Sequence, residues 1–131
     1  MYTILIVDDE IELRKQLVTI LNKRGYSTVE ASDGQEAAEL MRQKEYPLVL
    51  CDVKMPRLNG LEFLQHTREM GYHTAVALIT AHGNIQDAIE AIREGAFDYV
   101  EKPVDEQKVM DVVEKAETAY HMIHKIAYSA P

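Results

Sequence analysis

Short apolar runs recur along the chain, and each is followed by a longer segment of mixed polarity. Residues 4–7, 48–51 and 76–79 are continuously hydrophobic. Such runs are typical of strands that are buried on both faces of a parallel sheet. Residues 27–31 instead interleave polar and apolar side chains, which favours a strand at the edge of the sheet. Residues 97–101 form the fifth predicted strand.

The segments between these runs have the spacing of amphipathic helices. Their apolar residues recur three or four positions apart, which places them on one stripe of a helix. The stripes comprise Ile11, Leu13, Leu17, Val18, Ile20 and Leu21, then Ala37, Ala38, Leu40 and Met41, then Leu61, Phe63 and Leu64, then Ile85, Ala88, Ile89 and Ile92. A fifth helix is expected to begin at Asp105.

Glycines and capping residues mark the ends of the predicted helices. Gly25, Gly71 and Gly95 each precede a strand, at the position where a left-handed C-cap favours glycine. Ser32, with Gln35 three residues later, resembles a capping box at the start of the second helix. The predicted order is therefore a strand followed by a helix, repeated five times.

This alternation predicts an α/β fold. Right-handed crossovers between parallel strands place helices on both faces of the sheet, which gives a three-layer (βα)5 sandwich. With the polar second strand at one edge, the expected order of the five-stranded sheet is 2-1-3-4-5, as in flavodoxin-like proteins. Ligands of such sheets bind at the carboxyl ends of the strands, where the strand order reverses. Here that point lies between the first and third strands.

Charged and hydroxyl residues stand at these carboxyl ends. Asp8 and Asp9 follow the first strand, Asp52 the third, Thr80 the fourth and Lys102 the fifth. Each residue alone has an ordinary structural interpretation, because Asp and Thr cap helices or begin turns and a lysine can simply be solvated. Together they predict one site, since convergent groups define a site.

The three carboxylates of this group predict a metal ion. Carboxylates in one pocket repel one another unless protons or a cation intervene. Mg²⁺ prefers oxygen ligands and is usually held by one or two carboxylates plus a phosphate, whereas no cluster of His or Cys in the sequence favours zinc. A carboxylate can also be the nucleophile in phosphoryl transfer, which depends on positioning and charge neutralisation. The pattern therefore predicts Mg²⁺-dependent phosphate chemistry.

Composition argues against several other classes of protein. The 131 residues are 47% hydrophobic and 27% charged, the balance of one globular domain. A formal net charge of -8 disfavours direct nucleic-acid binding by this segment, because DNA-binding faces neutralise phosphates with Lys and Arg. The single cysteine, Cys51, cannot form an internal disulfide, and neither a secretory start nor an apolar run of ~20 residues is present. We therefore expect a cytoplasmic protein that does not enter a membrane.

Four segments resemble a known family. They are Ile6-Val7-Asp8-Asp9-Glu10, Asp52-Val53-Lys54-Met55-Pro56-Arg57-Leu58-Asn59-Gly60, Ile79-Thr80-Ala81-His82-Gly83 and Gly95-Ala96-Phe97-Asp98-Tyr99-Val100-Glu101-Lys102-Pro103. In identity and spacing they resemble the receiver domains of bacterial two-component response regulators, over residues 2–120. Residues 80–83 and 95–99 are similar to receivers of transcriptional activators of the nitrogen-regulation type.

The resemblance implies roles for the carboxylates. Asp52 would accept a phosphoryl group from a phosphohistidine on a separate histidine kinase or phosphotransfer protein. Asp9 would ligate Mg²⁺ directly and Asp8 chiefly through water. The backbone carbonyl of Lys54 would be a further ligand.

The resemblance also implies a conformational switch. Lys102 would pair with one phosphate oxygen and Thr80 would hydrogen-bond another. Thr80 would move toward the phosphate, and the ring of Tyr99 would turn inward into the space that it leaves; the alternative is that Tyr99 simply packs at the sheet edge. A cis peptide is expected between Lys102 and Pro103. The fourth helix, fifth strand and fifth helix would form a homodimer or output interface.

The last helix is longer than a domain of this size requires. From Asp105, apolar residues continue at helical spacing for about 22 residues, or roughly 33 Å, and residues 129–131 are expected to break the helix. We therefore predict a receiver domain at 1–119 and a C-terminal extension of the last helix at 120–131, a linker toward an output domain. The alternative is a stand-alone receiver with a frayed tail.

Two other function classes compete with a signalling switch. A Mg²⁺-dependent phosphohydrolase also uses an Asp nucleophile, but position 54 holds Lys where such an enzyme has a second Asp. A flavodoxin-like binding module would need a phosphate loop such as G-x-G-x-x-G, which the sequence lacks. We therefore expect a switch that assists its own phosphorylation and dephosphorylation and controls an output, transcription by resemblance, rather than an enzyme for outside substrates.

Overall fold

Strands and helices alternate throughout the chain. The computed structural model describes residues 2–55 and 58–129, with side chains in the last helix up to Ile123. Pro56 and Arg57 of the motif at 52–60, and the end of the predicted extension at 130–131, lie outside the described residues. The elements are β1 Thr3–Val7, α1 Ile11–Lys23, β2 Ser27–Ala31, α2 Gly34–Gln43, β3 Leu48–Asp52, α3 Gly60–Glu69, β4 Ala75–Thr80, α4 Ile85–Arg93, β5 Asp98–Glu101 and α5 Glu106–Ser129.

The strands form one sheet of five in the order β2-β1-β3-β4-β5, and each neighbouring pair is parallel. This confirms the predicted α/β fold and strand order. The mixed strand β2 lies at an edge and is mostly half-buried, whereas the continuously apolar strands β1 and β3 are buried along their length. The strand order reverses between β1 and β3, so the crevice between their carboxyl ends is open to a ligand.

Two apolar layers lie on opposite faces of the sheet. Alternate side chains of β1 serve both layers, because successive residues of a strand point to opposite faces. Ile4 and Ile6 pack in the layer covered by α1 and α5. Leu5 and Val7 pack in the layer covered by α2, α3 and α4. The sheet is thus covered on both faces, and its strand ends are left for function.

The predicted helix ends are confirmed at four positions, and a fifth residue, Asn84, also caps a helix. Gly25, Gly71 and Gly95 have φ values of +89°, +80° and +99°, in the left-handed region that favours glycine. The side chain of Asn84 accepts the Asp87 amide at the start of α4. The side chain of Asp105 accepts the amide three residues later, and the helix α5 begins directly after it.

The start of α2 differs from the prediction by one residue. The N-cap is Asp33, whose carboxylate accepts the Glu36 amide at 2.8 Å, rather than Ser32 paired with Gln35. The Ser32 amide instead donates to the Glu36 carboxylate at 2.6 Å. A carboxylate accepts a stronger hydrogen bond than a hydroxyl does, so Asp33 and Glu36 form the cap.

Two further observations concern the backbone and the surface. The peptide bond between Lys102 and Pro103 is cis, as expected from the resemblance. Within residues 2–55 and 58–129, no helix has both the length and the hydropathy needed to cross a membrane.

Candidate functional site

Four strand ends bring together the residues that we name the acidic site: Asp8, Asp9, Asp52, Thr80 and Lys102. Each follows or ends a strand of the sheet, at β1, β3, β4 and β5. One carboxylate oxygen from each of the three aspartates lies within 4.8 Å of the other two. The predicted convergence is therefore present for the three carboxylates and the Lys102 ammonium, and Thr80 lies at the end of the strand next to that of Asp52.

Asp52 is the buried centre of the site. It ends β3 and is only 5% exposed. The Nζ atom of Lys102 lies 3.2 Å from Asp52 Oδ2, and the Lys54 amide donates to Oδ1 at 3.3 Å. Burial raises the pKa of the Asp52 carboxyl, while the nearby Lys102 ammonium opposes that rise. Each carboxylate oxygen thus has one donor, and the buried carboxylate lies next to a cation.

Asp8 carries an uncompensated charge. Its side chain is fully buried, and Oδ1 accepts the Glu10 amide at 2.8 Å. Its other oxygen, Oδ2, is buried without a hydrogen-bond partner among the described residues. Burial, followed by the repulsion of Asp52, raises the pKa of Asp8 to about 6 despite the Glu10 amide. A buried carboxylate oxygen without a donor calls for a proton or a cation.

The donor set of the acidic site fits a hard divalent cation. Asp9 is exposed, so its carboxylate can be reached from solvent beside the buried Asp8 and Asp52. Oxygen ligands from carboxylates suit Mg²⁺ rather than a soft metal. The orphaned Oδ2 of Asp8 is an atom that such an ion would satisfy. The pocket can therefore hold a metal ion, while a role for the Lys54 carbonyl stays a prediction.

Thr80 and Tyr99 differ in where the structure places them. Thr80 ends β4 and is buried, and its carbonyl accepts the Lys102 amide at 2.8 Å. Tyr99 is 44% exposed and borders a shallow apolar surface with Ile89 and Ile92 of α4. The ring of Tyr99 thus lies outside the core in this structure, and its inward turn stays a prediction.

Two glycines that support the acidic site are missed by sequence reasoning. A Cβ on Gly60 would lie 2.4 Å from the carbonyl oxygen of Asp52 and 2.8 Å from Val53 Cα. A Cβ on Gly34 would lie 2.5 Å from the carbonyl oxygen of Leu58. Both glycines begin helices rather than end them, and that unusual position is the signal that could have found them. Only glycine lets these backbones approach so closely.

Comparison with known proteins places the chain in a family. The model of the response regulator receiver domain matches residues 4–114. The transcriptional regulatory protein ZraR of Escherichia coli O157:H7 is 35% identical over 120 residues, which are 92% of this chain and 27% of ZraR. The regulatory protein AtoC of Escherichia coli K12 is 39% identical over 113 residues, which are 86% of this chain and 24% of AtoC. The chain thus spans about a quarter of the length of these curated relatives.

Solved structures give the same result. NtrX from Brucella abortus superposes with a TM-score of 0.91 at 32% identity, over 98% of this chain and 29% of NtrX. A response regulator receiver domain protein from Clostridium thermocellum superposes with a TM-score of 0.87 at 30% identity, over 94% of this chain and 99% of that protein. These matches confirm the resemblance that the four sequence segments indicate. The chain belongs to the response regulator receiver domain family.

Proposed function

We propose that this domain is a phosphorylation-dependent switch in which Asp52 accepts a phosphoryl group from a histidine kinase or phosphotransfer protein. One observation carries the proposal: a buried carboxylate at the centre of the acidic site lies 3.2 Å from the Lys102 ammonium. Asp8 and Asp9 provide carboxylate oxygens within 4.8 Å. A nucleophile, a cation and a candidate metal site therefore share one crevice.

The residues of the site account for the chemistry of transfer. An oxygen of Asp52 attacks the phosphorus, an acyl phosphate bond forms, and the P–N bond of the phosphohistidine breaks with its electron pair leaving on the imidazole, which is then protonated. In this proposal the Lys102 ammonium, which lies 3.2 Å from Asp52 Oδ2, pairs with one phosphate oxygen, and the hydroxyl of Thr80, on the strand next to that of Asp52, donates to another. Because the Lys102 ammonium already lies beside Asp52, it can neutralise charge on the phosphate with little reorganisation.

The metal part of the proposal concerns Asp8, Asp9, Asp52 and the backbone carbonyl of Lys54. These groups would hold Mg²⁺, which when bound supplies positive charge to the phosphate oxygens. The raised pKa and the orphaned Oδ2 atom of Asp8 support it, because both reflect carboxylate charge that the protein alone leaves uncompensated. Binding of a cation there would remove the repulsion within the site.

The switch part of the proposal links the site to a distant surface. Phosphorylation replaces the single negative charge of the Asp52 carboxylate with a phosphoryl group that carries close to two. Thr80 would move toward that group and the exposed ring of Tyr99 would turn inward. Ile85, Ile89 and Ile92 are exposed on α4 next to Tyr99, so a change there alters an apolar surface. We propose that the surface of α4, β5 and α5 forms a homodimer or output interface.

The output part of the proposal concerns the last helix. Residues 1–119 would form the receiver, and 120–131 would continue α5 as a linker toward an output domain. ZraR is named a transcriptional regulatory protein, and this chain covers only 27% of it, which supports an output domain that controls transcription. The segment itself would act in the cytoplasm without binding nucleic acid.

Incubation with acetyl phosphate and Mg²⁺, followed by intact mass spectrometry, tests the proposal. We expect one phosphoryl adduct on the wild type, none on Asp52→Asn, and a normal adduct on the control Asp111→Asn, whose side chain is exposed on α5. Multiple-turnover release of phosphate from phosphate monoesters would instead indicate a phosphohydrolase. Absence of an adduct from any donor, including a cognate kinase, would also refute the proposal.

A further inference from the structure

Glu101 connects the end of β5 to a neighbouring loop. It is the last residue of β5 and directly precedes Lys102. One oxygen of its carboxylate accepts the Gly83 amide at 2.9 Å, and the other lies 3.6 Å from Nδ1 of His82. The side chain thus contacts two successive residues of the β4–α4 loop, which we define as residues 81–84.

Burial does little to hold the β4–α4 loop. Ala81, His82 and Gly83 are all exposed. The hydrogen bonds within the loop are local turns, from the Asn84 amide to the Ala81 carbonyl at 3.1 Å and from the Ile85 amide to the Gly83 carbonyl at 3.0 Å. A segment with few buried apolar contacts opens easily, so individual polar contacts weigh heavily in its position. The contacts with Glu101 therefore tie this loop to the end of β5, while Asn84 ties it to Asp87 of α4.

The same loop is attached directly to the acidic site. Its first residue follows Thr80, whose carbonyl accepts the Lys102 amide at 2.8 Å. The side chain of Lys102 in turn pairs with Asp52. Two adjacent residues of the chain, Glu101 and Lys102, therefore contact the loop and the phosphoacceptor respectively. If Thr80 moves toward Asp52, the loop that follows it must move as well, and Glu101 contacts that loop.

We propose that Glu101 is a positioning residue that holds the β4–α4 loop in its resting conformation and so opposes the movement of Thr80 toward a phosphoryl group on Asp52. The inference rests on the proposed function of Asp52. Contacts that are made in only one of two states bias the equilibrium by their own free energy. Removing the Glu101 carboxylate therefore favours the phosphorylated conformation and speeds phosphorylation.

Charge repulsion is the competing explanation for a faster reaction, because the Glu101 carboxylate could simply repel an anionic donor. Glu101→Gln separates the two explanations, since glutamine loses the charge but keeps an oxygen that can accept the Gly83 amide. Glu101→Ala removes both the charge and the acceptor. A loop restraint predicts different behaviour of the two variants, whereas charge repulsion predicts the same behaviour.

The experiment compares backbone amide resonances of residues 81–84 and the rate of adduct formation with phosphoramidate and Mg²⁺. In unphosphorylated Glu101→Ala we expect these resonances to move along the line that joins the resting and phosphorylated positions of the wild type. The rate should rise about five-fold, the effect of one ordinary hydrogen bond. Glu101→Gln should stay close to the wild type, and so should the control Glu69→Ala, an exposed residue of α3.

Each other result contradicts the inference. Resting loop positions and an unchanged rate in Glu101→Ala would overturn it, and equal acceleration in Glu101→Gln and Glu101→Ala would assign the effect to charge. A lower melting temperature with a slower reaction would show a merely structural role. Glu101→Ser also removes the carboxylate and must reproduce the alanine result. Absence of an adduct on the wild type from any donor, including a cognate kinase, would refute the proposed function itself, whereas the tests above leave that function intact.

Discussion

The two ends of the sheet differ in how their ionic side chains are hydrogen-bonded. At the amino end, the Arg68 guanidinium donates to the carbonyls of Tyr72, Thr74 and Gly95 at 3.0 to 3.1 Å, joining α3, β4 and the turn before β5. At the carboxyl end, a buried oxygen of Asp8 has no partner in the part of the chain that the structure describes. At one end the ionic group has its hydrogen-bond partners within the protein, while at the other a carboxylate oxygen is left for a proton or a cation.

The amino end also contains two buried neutral hydroxyl groups. The hydroxyls of Tyr2 and Thr74 are also buried without partners in residues 2–55 and 58–129. A neutral hydroxyl costs far less to leave unpaired than a carboxylate does. The amino end thus retains small local costs, whereas the carboxyl end concentrates negative charge where phosphate and metal are expected to bind. We therefore expect substitutions at the amino end to act mainly on stability, and substitutions at the carboxyl end to act also on the proposed phosphorylation.

Loss of Arg68 should be the largest effect on stability. Arg68→Ala removes a charged donor and leaves three carbonyls to find water. We expect the free energy of unfolding to fall by about 2 to 4 kcal/mol, measured by urea denaturation. The control Arg93→Ala removes an exposed arginine of α4 and should change it by less than about 0.5 kcal/mol. Equal effects of the two variants would show that the amino end is not held by Arg68.

A side chain at Gly60 should displace the backbone that carries Asp52 of the acidic site. In Gly60→Ala the new Cβ meets the Asp52 carbonyl oxygen at 2.4 Å, so the start of α3 or the end of β3 must shift. We expect a loss of about 1 to 3 kcal/mol in urea denaturation and a slower reaction with acetyl phosphate. Gly25→Ala is the matched comparison, because a Cβ there meets nothing within 4 Å and only the φ of +89° is unfavourable. It should cost about 1 kcal/mol without slowing phosphorylation; a reaction equally slow in both variants would contradict this assignment.

Removal of the Asp8 charge should stabilise the domain. Asp8→Asn replaces a buried carboxylate whose pKa is raised to about 6, so at pH 7.5 and without divalent cations we expect a gain of about 1 to 2 kcal/mol in the free energy of unfolding. We also expect Mg²⁺ to raise the melting temperature of the wild type, and Asp8→Asn should lose this increase. Asp111→Asn, on the exposed face of α5, should show neither effect. A destabilised Asp8→Asn with intact Mg²⁺ binding would reverse the comparison between the two ends.

The pH dependence of stability should be the smallest effect. The pKa of Asp8 is raised from 3.8 to about 6, so the native state holds this proton more tightly than the unfolded state. The stability due to that proton is complete below pH 3.8 and is lost as the pH rises through about 6. Without Mg²⁺, the free energy of unfolding of the wild type should therefore decline relative to Asp8→Asn between pH 5 and 7. Parallel curves for the two proteins would contradict a raised pKa.

The sheet and the membership of the acidic site could be predicted because both are local in the sequence. Three apolar runs and the residues that follow them fix which side chains reach the carboxyl ends. The rest depends on distant contacts. Gly34 meets Leu58, and Glu101 meets Gly83, only after the strands are placed side by side.

The start of α2 shows a different limit. Ser32 and Asp33 are both good caps by residue type, and the sequence pattern favours Ser32 with Gln35. The N-cap is the residue whose side chain reaches the Glu36 amide, and in the structure that residue is Asp33. Residue type therefore predicts a helix start to within one position, while the geometry of the preceding strand end decides the position itself.

Identification of the phosphorylated residue is the most direct test of the account. The acetyl phosphate adduct is reduced with borohydride, which converts a phosphorylated aspartate to homoserine, and the peptides are sequenced by mass spectrometry. We predict homoserine at Asp52, the buried carboxylate beside Lys102, and unmodified Asp8 and Asp9. Homoserine at Asp8 or Asp9, or a phosphoryl group on histidine that leaves no homoserine, would contradict the central claim.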